Sequence, residues 1–310
     1  MPKPLIVFLV GPTAVGKSSV ALIIAKKLNA EIISCDSMQV YKGLDILSAK
    51  PKKTDLKKIP HHLLGVVSPT LEYDVLTFRK TALKKITALI KRKKLPLFVG
   101  GTGLYMSVLI DGIFEVSAQD EDFRNKLYKV AEKKGSPALY ERLKQVDPDA
   151  ALKIHPNDAR RIIRALEVFK LTGKPISWWQ KQRKGLGDKY EIRIFCLDME
   201  RAKLYQRIQE RVERMFKQAA VAEAKKLLKK KLSKTAAMAI GLRELDGYLR
   251  GDYDLVRAKE MIKHNSCLYA KRQLTWFRKD KRIEWVEILL DDKPSQIANQ
   301  IIHLLKWKKS

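Results

Sequence analysis

The sequence predicts an α/β fold: a parallel sheet flanked by helices and carrying an all-helical insert. Three observations lead there. Short apolar, β-rich runs alternate with longer stretches of helical period in the N-terminal third, which is the pattern of βαβ units. A glycine-rich turn separates the first such run from the first helix. Beyond Glu115 the strand signal fades, and prolines punctuate a run of helical segments.

In chain order, Leu5 to Val10 is continuously apolar, as expected of a parallel strand buried on both faces. Ser18 to Leu28 reads as a helix, Glu31 to Cys35 as a second strand, about Leu76 to Lys93 as a helix, and Leu95 to Val99 as a third strand. From Asp120 to Trp179 the helical period is broken at Pro137, Pro148, Pro156 and Pro175. Strand character returns at Tyr190 to Leu197, in position to rejoin the sheet. Helices at Arg201 to Lys230, Leu255 to Phe277 and Pro294 to Trp307 complete the chain.

The charge balance is lopsided: 63 Lys and Arg against 34 Asp and Glu, a net +29 over 310 residues. The excess runs through both the insert and the C-terminal helices, so a polyanion is expected to touch those parts. The plainer reading is a lysine-rich composition that serves solubility alone. Cys35, Cys196 and Cys267 are odd in number, far apart and free of any C-x-x-C spacing. They point to a reducing compartment and to no structural zinc. The apolar N-terminal run is too short to span a membrane and leads straight into a functional loop. A cytoplasmic protein without membrane attachment is expected.

Gly11-Pro12-Thr13-Ala14-Val15-Gly16-Lys17-Ser18 fits G-x-x-x-x-G-K-[ST] between a strand and a helix, the context that the motif requires. Its amides and the helix N-terminus make an anion cradle, Lys17 adds a point charge, and Ser18 is the candidate ligand for Mg²⁺. The motif specifies a diphosphate or triphosphate without saying which. Nucleotide hydrolases also place a carboxylate at the end of a core strand to organise Mg²⁺. Here Leu95 to Val99 ends in Gly100-Gly101-Thr102-Gly103. The acid at a strand end is instead Asp36, which faces the crevice at the carboxyl edge of the sheet. Metal ligand, helix cap and general base all remain open for it.

The loop, Asp36-Ser37-Met38-Gln39-Val40-Tyr41 and Gly100-Gly101-Thr102-Gly103-Leu104-Tyr105 together resemble the tRNA dimethylallyltransferases. So do Pro60-His61-His62-Leu63-Leu64, the stretch from Asp147-Pro148 to Arg164-Ala165-Leu166-Glu167-Val168, and Tyr269 to Phe277, in the family's order. The resemblance implies transfer of a dimethylallyl group from dimethylallyl diphosphate to N6 of adenine 37 in the anticodon stem-loop of tRNA, with Mg²⁺ assisting. It implies a P-loop NTPase-like core over residues 1–115 and 188–310, a helical tRNA-binding insert over 116–187, and a monomer is expected. The family's general base falls on Asp36, its assisting threonine on Thr13, and its diphosphate-binding arginine on Arg211. Its tRNA contacts carry over to Asp36, Ser37, Met38, Gln39, Thr102, Arg124, Arg160, Arg161, Ile162, Ile163 and Arg164. The chain departs from the family at Gly65, at Leu242-Arg243 and at Asn265-Ser266-Cys267.

Blander readings stand beside these. Arg211 on a long helix also suits a surface ion pair, and Arg160 with Arg164 suits a solvated helix face. His61 and His62, adjacent on an extended segment, read as structural, and Trp178-Trp179 and Trp276-Phe277 as packing. Three rival functions use the same loop: a small-molecule kinase, an isopentenyltransferase acting on free adenine nucleotides, and a non-catalytic RNA-binding protein. The kinase offers no reason for the charge, and mere binding needs no base at a strand end.

Overall fold

The computed structural model describes residues 2–114, 120–289 and 291–307, with the side chains of 306 and 307 excepted. The chain forms two compact units, Met1–Ile110 with Leu186–Ser310, and Asp111–Gly185. The boundary expected between 115 and 116 lies outside the described residues.

The first unit is built on a six-stranded sheet: β1 (Leu5–Val10), β2 (Ala30–Ser34), β3 (His61–His62), β4 (Leu95–Gly100), β5 (Glu191–Met199) and β6 (Ile283–Ile288). Every pairing is parallel and the order is β3-β2-β4-β1-β5-β6. Val10 pairs with Gly100 on one side and Cys196 on the other, so β1 and β4 end together at the phosphate loop while β5 runs on past it. β1 alternates between two cores. Ile6, Phe8 and Val10 belong to one, with Phe8 stacked on Phe98 at 4.7 Å, while Val7 and Leu9 belong to the other. Burial on both faces is why β1 reads as an unbroken apolar run rather than an alternation.

Helices α1 (Lys17–Lys27), α2 (Lys53–Lys58), α3 (Val75–Lys91) and α4 (Gly103–Ile110) connect the first strands. Among the described residues the elements of the second unit are all helices: α5 (Glu121–Lys134), α6 (Ser136–Val146), α7 (Pro148–Ala151), α8 (Ala159–Thr172) and α9 (Ile176–Lys181). Its prolines mark starts. Pro137 and Pro148 stand in first turns, where the missing N–H costs nothing. Asp147 is buried and caps twice, accepting from Ala150 N at 3.0 Å and Ser177 N at 2.9 Å. Glu167, fully buried, accepts from Arg124 at 2.8 Å, from Arg164 at 2.7 Å and from the Asp120 amide at 2.9 Å.

The first unit resumes at Leu186, whose amide reaches Leu109 O and Ile110 O, and ends in α10 (Arg201–Lys217), α11 (Ala220–Leu228), α12 (Leu242–Arg250), α13 (Leu255–Phe277) and α14 (Pro294–Trp307). The single helix expected over Arg201 to Lys230 is two. Ala219 takes a left-handed φ of 70°, which turns the chain so that Met215 on one side and Ala220, Ala224 and Leu227 on the other reach the same core. Left-handed backbone costs an L-residue about 1–2 kcal/mol, and no glycine announces it here. The sequence reading also missed β6 and β3. The histidines of β3 are structural, as expected: His62 Nε2 meets Glu31 Oε2 at 2.7 Å and His61 Nδ1 meets Ile59 O at 2.7 Å.

Candidate active site

The loop between β1 and α1 is a concave strip of backbone. Gly11, Ala14 and Gly16 all have positive φ, at 146°, 65° and 104°. Gly16 precedes α1 with no side chain capping it, so the first helical N–H groups face outward, suited to an anion. Lys17 Nζ lies across the strip, donating to Gly11 O at 2.9 Å and Pro12 O at 2.7 Å. Burial pushes its pKa down to about 8, Asp36 opposes the shift, and Arg211 adds to it.

Not every residue of the motif faces the anion space. Pro12 has no N–H to offer, and Val15 is buried in the core beneath the loop. The Thr13 amide donates to Gln273 Oε1 at 2.8 Å, while the Thr13 hydroxyl accepts from Arg211 Nη1 at 2.9 Å. The Thr13 O–H proton is therefore left to be donated elsewhere. Arg211 comes from α10, beside the apolar stripe Leu204, Ile208, Val212 and Met215. Burial lowers its pKa and Asp36 opposes that. The surface ion pair weighed for Arg211 is absent among the described residues.

Asp36 follows β2. Its Oδ1 accepts from Met38 N at 2.9 Å and Gln39 N at 3.2 Å, a local turn that fixes the carboxylate's direction. Its Oδ2 has no partner among the described residues. Ser37 N donates to Thr102 Oγ1 at 3.1 Å, and the Tyr269 phenol lies against Thr102 and Gln273. Burial, followed by the charge of Asp36, raises the pKa of that phenol.

The segment Gly100 to Gly103 is shaped by packing. A Cβ on Gly100 would stand 2.0 Å from Cys35 O, one on Gly101 2.0 Å from Gln273 Nε2, and one on Gly103 2.2 Å from the Trp276 ring. The strand end that carries a metal-organising acid in nucleotide hydrolases thus has no room for any side chain. Gln273, from α13, ties both loops together by accepting from Thr13 N and donating to Gly101 O at 2.9 Å. Sequence reasoning placed no role on it.

The loop, Asp36, Gly100, Arg211, Tyr269 and Gln273 border one cavity of about 1000 Å³. Thr13, Lys17, Ser18 and Asp36 lie along it, with Leu47, Val212, Met215, Ile240 and Ile262 as an apolar wall. Lys50, Lys52, Arg207 and Arg272 also border it. Among the described residues no group of three or more His, Cys, Asp or Glu is placed to cage a metal. The Ser18 hydroxyl is exposed, without a partner among those residues, which suits a cation that takes its other oxygens from phosphate and water.

A family profile described as IPP transferase matches residues 39–280. The chain belongs to that family. Two tRNA dimethylallyltransferases are similar throughout. That of Carboxydothermus hydrogenoformans is 46% identical over 284 residues, covering 91% of each chain. That of Natranaerobius thermophilus is 46% identical over 308 residues, covering 98% of this chain and 92% of its own. Among solved structures, the tRNA isopentenylpyrophosphate transferase of Bacillus halodurans is 40% identical, with a TM-score of 0.71 over 99% of this chain and 98% of its own. A eukaryotic dimethylallyltransferase captured acting on tRNA is 28% identical, with a TM-score of 0.82 over 98% of this chain and 79% of its own. The P-loop NTPase-like core expected from sequence is the core of this IPP transferase family member.

The residues expected to touch RNA on the insert of this IPP transferase relative divide sharply. Ile162 and Ile163 are buried at 0% and 1% exposure, so their side chains belong to the insert's core and offer no surface. Arg124 and Arg164 hold Glu167, and Arg161 lies 3.3 Å from Asp158. Arg160 is exposed and has no partner among the described residues.

Proposed function

We propose that this enzyme transfers a dimethylallyl group from dimethylallyl diphosphate to N6 of adenine 37 in tRNA. One observation carries the reading: an aspartate with one oxygen fixed by its own turn and the other unpartnered lines the same cavity as the phosphate loop. Phosphate transfer would need a metal-organising acid at the end of β4, where Gly100 leaves no space.

In the proposed reaction the C1–O bond of the donor breaks, diphosphate leaves with the electron pair, and N6 of adenine bonds to C1. Asp36 Oδ2 accepts the N6 proton. The adenine amine is a weak nucleophile because its lone pair is delocalised, so removal of that proton as the bond forms is where a carboxylate helps. On the other side Lys17 and the first amides of α1 meet the diphosphate. Arg211 polarises the Thr13 hydroxyl, whose proton is left to be donated to the departing oxygen. Ser18 would hold Mg²⁺, which neutralises charge on the diphosphate when bound. The apolar wall suits the prenyl chain and excludes water from the allylic cation. A tRNA loop adenine leaves its stack at little cost.

The tRNA backbone is assigned to the basic surface of the insert, Arg160 above all, to the cavity border at Ser37, Met38 and Gln39, and to Thr102 beside Ser37. Among the described residues no helix is long and apolar enough to cross a membrane.

Asp36→Asn keeps the turn acceptor and removes the base. It is expected to lower kcat roughly 10²–10⁴-fold while the KM values for donor and tRNA stay within about two-fold. Full activity in that variant removes Asp36 from the chemistry.

A further inference from the structure

Arg207 stands on α10 one turn before Arg211, on the strip that borders the helix's buried face. Its Nη2 lies 3.6 Å from the point where a Cβ on Gly16 would stand, over the uncapped N-terminus of α1. The acids nearby in sequence are engaged elsewhere. Glu210 accepts from Gln206 at 3.1 Å and faces Arg214 at 3.9 Å, Glu213 holds Lys259 and Lys263, and Glu200 holds Lys203. Arg207 has no partner among the described residues, yet it borders the cavity beside Lys17 and Ser18.

An arginine on a helix can pair with an acid three or four residues away. Here position 211, one turn on, is another arginine, and Glu210 turns to Gln206 and Arg214. Two guanidiniums are thus aimed along one loop, Arg211 at Thr13 and Arg207 at Gly16. Their planar, forked donors match phosphate oxygens, which Lys17 meets only as a point charge.

We infer that Arg207 is a second diphosphate-binding guanidinium, holding the outer phosphate of the prenyl donor at the N-terminus of α1 while Arg211 serves the end nearer the reacting carbon. This rests on the proposed reading that the loop holds a prenyl diphosphate.

The test compares wild type with Arg207→Ala and Arg207→Lys. Inorganic diphosphate with MgCl₂ is titrated calorimetrically, and KM is measured separately for dimethylallyl diphosphate and for tRNA. The expected result for Arg207→Ala is about ten-fold weaker diphosphate binding and a donor KM raised about as much. The KM for tRNA and the melting temperature stay unchanged, and Arg207→Lys recovers part of the loss. Unchanged diphosphate affinity overturns the assignment, and so does a rise confined to the KM for tRNA, which would make Arg207 a contact to the RNA backbone. Failure of the wild type to prenylate tRNA would sink the proposed function, while the calorimetric comparison still decides the role of Arg207.

Discussion

Lys17 shows how burial becomes pH dependence. Its amine is held by Gly11 O and Pro12 O with its pKa pushed down to about 8. Protonated Lys17 binds an anion and neutral Lys17 does not, so donor affinity is level below that pKa and falls as the pH rises through about 8. Donor KM measured between about pH 7 and pH 9 is expected to show that inflection, and Lys17→Arg to remove it. A flat profile in the wild type would separate Lys17 from donor binding. The loop and Asp36 were legible at this scale because each is a local pattern: a glycine spacing, and an acid after an apolar run. Gln273 was not, because its partner Thr13 lies 260 residues away and nothing around Gln273 marks it. The arginines of the insert carry a contact that their sequence context does not mark: Arg124 and Arg164 both hold Glu167, an acid inside the core.

That acid sets the behaviour of α5 and α8. Burial by itself would raise the pKa of Glu167; hydrogen bonds from Arg124, Arg164 and the Asp120 amide overcome burial and hold it below the usual carboxylate value. A carboxylate with a depressed folded pKa contributes stability above its unfolded pKa and loses it as the pH falls through the folded one. Glu167→Gln leaves two guanidiniums without their counter-charge and is expected to destabilise the insert by about 3 kcal/mol. Faster amide exchange confined to 111–185 at neutral pH, converging with wild type in acid, is the signature. Equal exchange at every pH would show that the pair contributes nothing. The helices themselves were legible where period and caps agree, as in α13, which begins after the cap Asp254 and runs to Phe277 as expected. The break at Ala219 was not, because its cause is the shared core reached by α10 and α11.

For the whole molecule, strand order decides what the chemistry can be. β1 at the centre, with β4 and β5 beside it, brings the phosphate loop, the glycine segment and Cys196 to one edge, and β2 delivers Asp36 to the same cavity. The core was legible because strands buried on both faces leave long apolar runs. The edges were not: β3 is two residues long, and β6 interleaves Glu284 and Glu287 with its buried positions. One incubation decides the proposed reaction: purified protein and Mg²⁺ with labelled dimethylallyl diphosphate, offered unmodified tRNA, AMP and ATP separately. Label on tRNA alone, at the adenine beside the anticodon, is the predicted result. Label on AMP or ATP, or ATP hydrolysis with no transfer, would contradict it.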